Sequence, residues 1–338
     1  MKPFFAWKPL APPQETAMPE WIQRAALVGV ILALSGGLIQ SGLGLDQGGA
    51  LIFPLAVSAL LFGLPHGAID HLVALGLAGR TLQPGNVLLV AGIYLLLALL
   101  YGGLWLIAPG LALLGFLAMT FYHWGKADTV FELLRCPGGA LAKDRRLRWI
   151  HTAVRGGIPM GMPLLAFPEA SAAFLQSCLA LFIQNPASPE LWRPWIAGAL
   201  FSLITLECLL LFRAKKDSGC WHIIIETLLL LALFTWVPPL AAIGWYFCLW
   251  HGLRHVLRLA RYRSGPGNGL TKLRALRLFF YRAIPFTLLS LLFLALAGLA
   301  LPVAGEPTRW IALYLVLISA LTFPHIILVE WMDREEKL

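Results

Sequence analysis

The sequence predicts an all-α fold: a polytopic bundle of about ten transmembrane helices with both termini in the cytoplasm. Three observations carry this. Hydrophobic side chains make up 59% of the 338 residues and charged ones only 13%, where a soluble domain is closer to a quarter charged. Ten apolar stretches approach the roughly 20 residues needed to cross the hydrocarbon of a bilayer. Lys and Arg collect in alternate loops, as they do on the cytoplasmic side of membrane proteins.

In chain order the predicted spans are 21–41, 51–77, 86–107, 110–134, 149–166, 192–212, 222–237, 239–260, 278–300 and 309–331. Residues 1–20 are polar and proline-rich. No small-residue cleavage site clearly follows the first span, which reads as a retained helix rather than a signal peptide. The apolar piece 170–184 is shorter and fits an interfacial or re-entrant helix within a long loop. Residues 21–331 read as one transmembrane bundle and 332–338 as a cytoplasmic tail. The stretch 261–277, RYRSGPGNGLTKLRALR, reads as a basic cytoplasmic connector.

Charge tests this list. The loops placed inside contain Arg80; Arg135, Lys143, Arg145, Arg146 and Arg148; Arg213, Lys215 and Lys216; and Arg261, Arg263, Lys272, Arg274 and Arg277. The loops placed outside (42–50, 108–109, 167–191, 238 and 301–308) contain neither Lys nor Arg. One missed or invented span would invert every later loop, so the alternation constrains all ten. The net charge of +9 then records topology rather than a nucleic-acid partner. The chain is expected in the cell's inner membrane, crossing it repeatedly and surrounded by lipid. Its five cysteines form no CxxC and read as small buried hydrophobes.

Histidines are the chemically loaded residues. Intramembrane ionisable groups are costly and mostly functional. His66 and His71 fall on the second span, His123 on the fourth, His251 and His255 on the eighth and His325 on the tenth. Counted from the cytoplasmic ends of their spans, His66 and His123 each lie 11 residues in, His251 nine and His255 five. At about 1.5 Å per residue these four share a layer roughly 10 Å thick. His251 and His255, in WHGLRH, are spaced i, i+4 and so lie on one helix face. HxxxH with two further histidines at matching depth predicts an all-imidazole metal site suited to iron, zinc or copper. A ligating imidazole usually passes its other N–H to a carboxylate or carbonyl. Asp70, four residues after His66, and Asp128, five after His123, are the candidates, with His71 and His325 beside them. Glu207 and Glu226 are expected to pair with Arg155, Arg254 or Arg282, because buried charges need partners. Pro65 and Pro324, each preceding a histidine, are expected to kink their helices.

Four motifs in order, GLPHGAIDH, FYHWGKAD, WHGLRH and FPHIILVEWMD, resemble the Brp/Blh family of bacterial and archaeal β-carotene 15,15′-dioxygenases. The resemblance runs from about residue 50 to 331. It implies an integral membrane oxygenase that uses Fe(II) and O2 to split the central double bond of β-carotene into two retinals, often alongside a microbial rhodopsin. It implies iron ligands at His66, His123, His251 and His255, the quartet that depth selected. It leaves Asp70, His71, Asp128 and His325 as supporting residues around the ligands. Three features depart from the pattern: Lys126 stands where the family usually has Glu, the segment between the fourth and fifth spans is unusually basic, and the first fifty residues are an addition.

Three other functions fit the residues less well. A haem-binding electron-transfer protein places histidines on opposite faces of a macrocycle, which two same-face histidines on one helix cannot do. A di-iron desaturase uses clustered HxxHH boxes, and this chain has no adjacent histidine pair. A transporter or retinal-binding protein could use a Schiff-base lysine, for which Lys126 is the only candidate within a predicted span.

Overall fold

The computed structural model describes residues 18–45, 48–184, 193–213, 220–261, 272–300 and 307–338. Most of the polar N-terminal segment, the middle of the basic connector (262–271), and Lys215 and Lys216 lie outside the described residues. Within them every regular element is helical: α1 (Glu20–Gly42), α2 (Gly48–Ser58), α3 (Leu64–Ala68), α4 (Asp70–Leu77), α5 (Pro84–Ile107), α6 (Pro109–Arg135), α7 (Ala140–Lys143), α8 (Arg145–Ala166), α9 (Pro168–Leu179), α10 (Arg193–Arg213), α11 (Cys220–Trp236), α12 (Pro239–Tyr246), α13 (Leu253–Arg261), α14 (Lys272–Ala300) and α15 (Pro307–Glu335). Two π-helical turns interrupt them: Ala59–Gly63 joins α2 to α3, and Phe247–Gly252 joins α12 to α13.

The starts of these helices follow from sequence. Pro84, Pro109, Pro168, Pro239 and Pro307 each open a helix, the position where proline's missing N–H costs nothing. Asp144 caps α8, its carboxylate accepting from the backbone N–H of Arg146 and Leu147, which satisfies two of the donors orphaned at a helix N-terminus.

Each of the ten predicted spans is helical. Among the described residues six helical runs are long and apolar enough to cross a membrane: α1, α2–α4, α5, α10, α14 and α15. The pair α8–α9 would make a seventh if its 110° bend at Phe167 lies within one span. The apolar piece 170–184 thus holds a short helix, α9, set at 110° to α8. The rest fall short for physical reasons. Helix α11 is short, α6 carries Lys126, Asp128 and Glu132, and α13 carries Arg254 and Arg258.

Those charges are paired, and all but the half-buried Lys126 are buried. Arg254 reaches Asp128 at 3.0 Å and Glu226 at 2.8 Å. Arg135 bonds Glu132 at 2.9 Å and Glu226 at 2.8 Å. Arg258 meets Asp333 at 2.6 Å and Glu336 at 2.9 Å. This network ties α6, α11, α13 and α15 together on the side of the bundle where α6, α13 and α15 end. Glu226 thus finds the arginines expected of it, including Arg155 at 3.5 Å. Glu207 does not: its partners are His151, at 2.5 Å, and Thr227. Lys126 is held by Glu330 at 2.6 Å and Asp333 at 3.1 Å, so its charge is spent on α15.

Small residues set the closest helix contact. A Cβ on Gly125 of α6 would collide with the carbonyl of Thr152, and one on Gly156 of α8 with the carbonyl of Phe121. Two backbones can approach this closely only where both sides lack side chains. The contact sits within two residues of His123 and fixes α6 against α8.

Candidate metal centre

Five imidazoles from α3, α6, α13, α15 and the second π turn gather in the bundle interior, all at least nine-tenths buried. His66, His251, His123 and His325 form a closed circuit. Ring centroids stand 5.8 Å apart from His66 to His251, 5.1 Å from His251 to His123, 5.0 Å from His123 to His325 and 5.0 Å from His325 back to His66. His255 caps one edge, 5.3 Å from His66 and 5.2 Å from His325. The expected quartet is therefore brought together, and His325 stands among it.

Both π turns serve this arrangement. An extra residue per turn re-aims the side chains around it, and such turns recur at functional sites. One turn ends two residues before Pro65–His66, and the other contains His251. They pack on each other through glycines: a Cβ on Gly63 would stand 3.1 Å from Phe247, and one on Gly252 would stand 2.9 Å from Phe62. Spacing predicted that His251 and His255 lie on one helix face, where both rings can serve one metal. His251 belongs to the second π turn and His255 to α13, and His66 contacts both rings.

The nitrogens show which way each ring faces. His66 Nδ1–H donates to the carbonyl of Phe62 at 2.7 Å, leaving Nε2 for the cluster. His325 Nδ1–H donates to Asp70 Oδ2 at 2.7 Å. The same carboxylate oxygen lies 3.1 Å from the Tyr94 hydroxyl. His251 lies parallel to Phe247 at 5.6 Å and against Trp124 at 5.6 Å. Asp70 therefore supports His325 rather than its neighbour His66. Asp128 supports no histidine: it accepts from Trp250 Nε1 at 3.0 Å and from Arg254. His71 lies outside the circuit, its Nδ1–H on the Ala68 carbonyl and its ring on Phe286. Sequence reading passed over Tyr94 entirely. Its signal is faint, one of two tyrosines in the leucine-rich α5.

Among the described residues no group of three or more His, Cys, Asp or Glu is arranged to hold a metal ion as it stands. The rings are gathered, but their nitrogens are not closed on one point. The donor set nevertheless fits a metal. His123 Nε2, both nitrogens of His251 and His325 Nε2 are buried with no hydrogen-bond partner. A buried polar atom left bare costs about 1–3 kcal/mol, and several bare nitrogens in neighbouring rings point to a group that takes their lone pairs. Neutral imidazoles are the donors that first-row divalent metals accept.

An apolar cavity of about 780 Å³ adjoins the circuit, bordered by His66, His123, His251 and His325. On one hand it is lined by α5 and α14, including Leu99 and Phe293; on the other by α8, α9 and α12, including Pro159, Phe174 and Ile243. Leu95, Leu99, Leu289 and Phe293 line it and are also exposed on the outer surface of the bundle. The cavity therefore opens sideways between α5 and α14.

The family model for beta-carotene 15,15′-dioxygenase matches residues 57–333. A probable beta-carotene 15,15′-dioxygenase Blh from Halobacterium salinarum is 36% identical over 297 residues, covering 83% of this chain and 84% of its own. A beta-carotene 15,15′-dioxygenase from an uncultured marine bacterium is 27% identical, over 82% of this chain and 93% of its own. A probable beta-carotene 15,15′-dioxygenase Brp, also from Halobacterium salinarum, is 25% identical over 96% of this chain and 95% of its own. No solved structure matches the chain.

Proposed function

The chain belongs to the β-carotene 15,15′-dioxygenase family, and on that footing we propose that it cleaves the central double bond of β-carotene with O2, giving two retinals, as a non-haem iron enzyme of the cell's inner membrane. The observation that carries the reading is the join between the imidazole circuit and the apolar cavity.

His66, His123, His251 and His255 would hold the metal. Ferrous iron at that point would supply the open positions where O2 is activated. Breaking one C=C bond into two aldehydes uses all the electrons that O2 accepts, so the reaction calls for no separate reductant.

The remaining work belongs to the protein. A carotenoid is a hydrocarbon rod dissolved in the bilayer, and the opening between α5 and α14 faces that solvent. Central cleavage requires room for both halves of the polyene around the metal, which suits a cavity lined from both hands. Phe247 lies parallel to the His251 ring and Trp124 is tilted against it, which holds its orientation. Burial of the whole circuit keeps water from the reacting bond, and a rigid apolar channel holds the correct bond in place.

The other readings fit less well. Imidazoles touching edge to face at about 5 Å leave no slot for a porphyrin between them. A Schiff-base role for Lys126 would require pulling its ammonium out of two carboxylates. Expression in a β-carotene-producing bacterium should bleach the orange colour and accumulate retinal. Unchanged colour in cells holding folded, iron-loaded protein would defeat the proposal.

A further inference from the structure

We infer that His325 is a fifth imidazole donor to the metal, positioned by Asp70 and Tyr94, rather than a supporting residue behind a four-histidine site. This rests on reading the centre as an iron site.

Four observations converge. First, without His325 the imidazoles form an open chain: His255 touches His66, His66 touches His251, and His251 touches His123. His325 closes it, standing 5.0 Å from His66, 5.0 Å from His123 and 5.2 Å from His255. No other ring in the cluster has three imidazole neighbours except His66. Second, its outer nitrogen is tied down while its inner one is free. Nδ1–H donates to Asp70 at 2.7 Å, and Nε2 is buried with no partner. Third, the carboxylate is itself held. Tyr94 Oη lies 3.1 Å from Asp70 Oδ2 and 3.1 Å from the Leu321 carbonyl. A carboxylate–imidazole pair fixes the tautomer that presents Nε2 and raises its basicity, the usual support of a metal-bound histidine. Fourth, the group is packed on α3: a Cβ on Gly67 would lie in ordinary contact, 3.7 to 3.9 Å, with His325 Nδ1, Asp70 Oδ2 and Tyr94 Oη, so the backbone that carries His66 borders all three.

An unpartnered nitrogen alone would not carry this. His151 Nε2 is also bare and buried, and its Nδ1 also meets a carboxylate, that of Glu207. What separates the two is company, because no other imidazole ring lies against His151 among the described contacts, whereas three face His325.

Of the elements around the circuit, α15 is the one that the quartet alone would leave without a ligand. With His325 included, donors arrive from both ends of the chain. The C-terminal helix then becomes part of the metal shell rather than packing behind it.

The test uses full-length protein purified in detergent and loaded with Fe(II). X-ray absorption at the iron edge should count five imidazoles in the wild type and four in His325→Ala. Iron affinity should fall in His325→Ala, and by about 10–100-fold in Asp70→Asn, the range seen when a partner of a metal-bound histidine is removed. Tyr94→Phe should fall less. His325→Gln serves if the alanine variant does not fold. A His325 variant with unchanged affinity and an unchanged imidazole count would overturn the inference, while loss of iron in His251→Ala alongside it would leave the four-histidine site standing. Wild-type protein that takes up no iron would remove both.

Discussion

Asp70 hydrogen-bonds the ring of His325, 255 positions away in sequence, at 2.7 Å, although His66 lies only four residues before it. His66 has instead turned its Nδ1 to the Phe62 carbonyl in its own helix. Backbone supports one histidine and a carboxylate supports the other, and the two rings meet edge to face at 5.0 Å, each with its Nε2 left over from those bonds. The polar chemistry of the site is thus divided between local helix geometry and a long-range tertiary pair.

Removing a central ring tests the metal assignment. His251 has no hydrogen bond to either nitrogen and bridges His66 and His123. His251→Ala should therefore lose iron and abolish retinal formation, and His255→Ala should do the same. Retained iron by elemental analysis, together with retained cleavage, in either variant would show that the quartet has been misassigned.

Much of this was legible beforehand. Equal depth in separate spans picked out His66, His123, His251 and His255, and the four rings do cluster. Depth works because a span's rise per residue is fixed. It fails for local twist. Neither π turn has a sequence mark that periodicity can read, so the contact of His66 with both His251 and His255 was not foreseen. Partner choice was equally hidden. Asp70 and Asp128 each sit near a clustered histidine in sequence, yet one serves α15 and the other Trp250 and Arg254. That choice depends on which helices pack together, which spacing along one helix does not encode.

The ionic network should be structural. Arg254 spans Asp128 and Glu226 with two different nitrogens, at 3.0 and 2.8 Å, and all three side chains are buried. Removing one member of such a set strands the others, a loss of about 3–5 kcal/mol. Arg254→Ala should lower the thermal unfolding temperature in detergent sharply. Arg254→Lys should recover only part of it, because one ammonium cannot reproduce the planar fork. An unchanged melting curve for the alanine variant would show that the network contributes little.

Backbone contact between α6 and α8 makes a sharper structural prediction. Gly156→Ala should destabilise by about 1–3 kcal/mol, the usual cost of overpacking, because its methyl would strike the Phe121 carbonyl. Since Phe121 is two residues from His123, iron affinity should fall as well. Gly103, on α5 with nothing within 4 Å of its Cβ position, provides the control: Gly103→Ala should be neutral or slightly stabilising. Equal effects at the two sites would mean that the close approach is not what holds α6.

The alternation of basic loops predicts that both termini lie in the cytoplasm. A fluorescent protein fused after Leu338 should light up in the cell. Alkaline phosphatase fused near residue 46 or residue 187 should be active, and fused near residue 140 inactive. The reverse pattern would invert the orientation without disturbing the bundle.

The sideways opening predicts how substrate reaches the metal. Leu99 both lines the cavity and is exposed on the outer face of α5, whereas its neighbour Leu100 is exposed without lining it. A bulky ring at position 99 narrows the mouth; the same ring one residue on adds surface elsewhere. Leu99→Trp should reduce cleavage at low β-carotene concentration by roughly tenfold or more, the scale on which an apolar pocket resists excess volume. Its effect should fall on KM more than on kcat, and iron content should stay at the wild-type level, because Leu99 contacts none of the histidines through its exposed side. Leu100→Trp should behave as wild type. If both variants slow the reaction equally, carotenoid does not pass between α5 and α14. If Leu99→Trp alone loses iron, the residue supports the metal centre rather than the route to it.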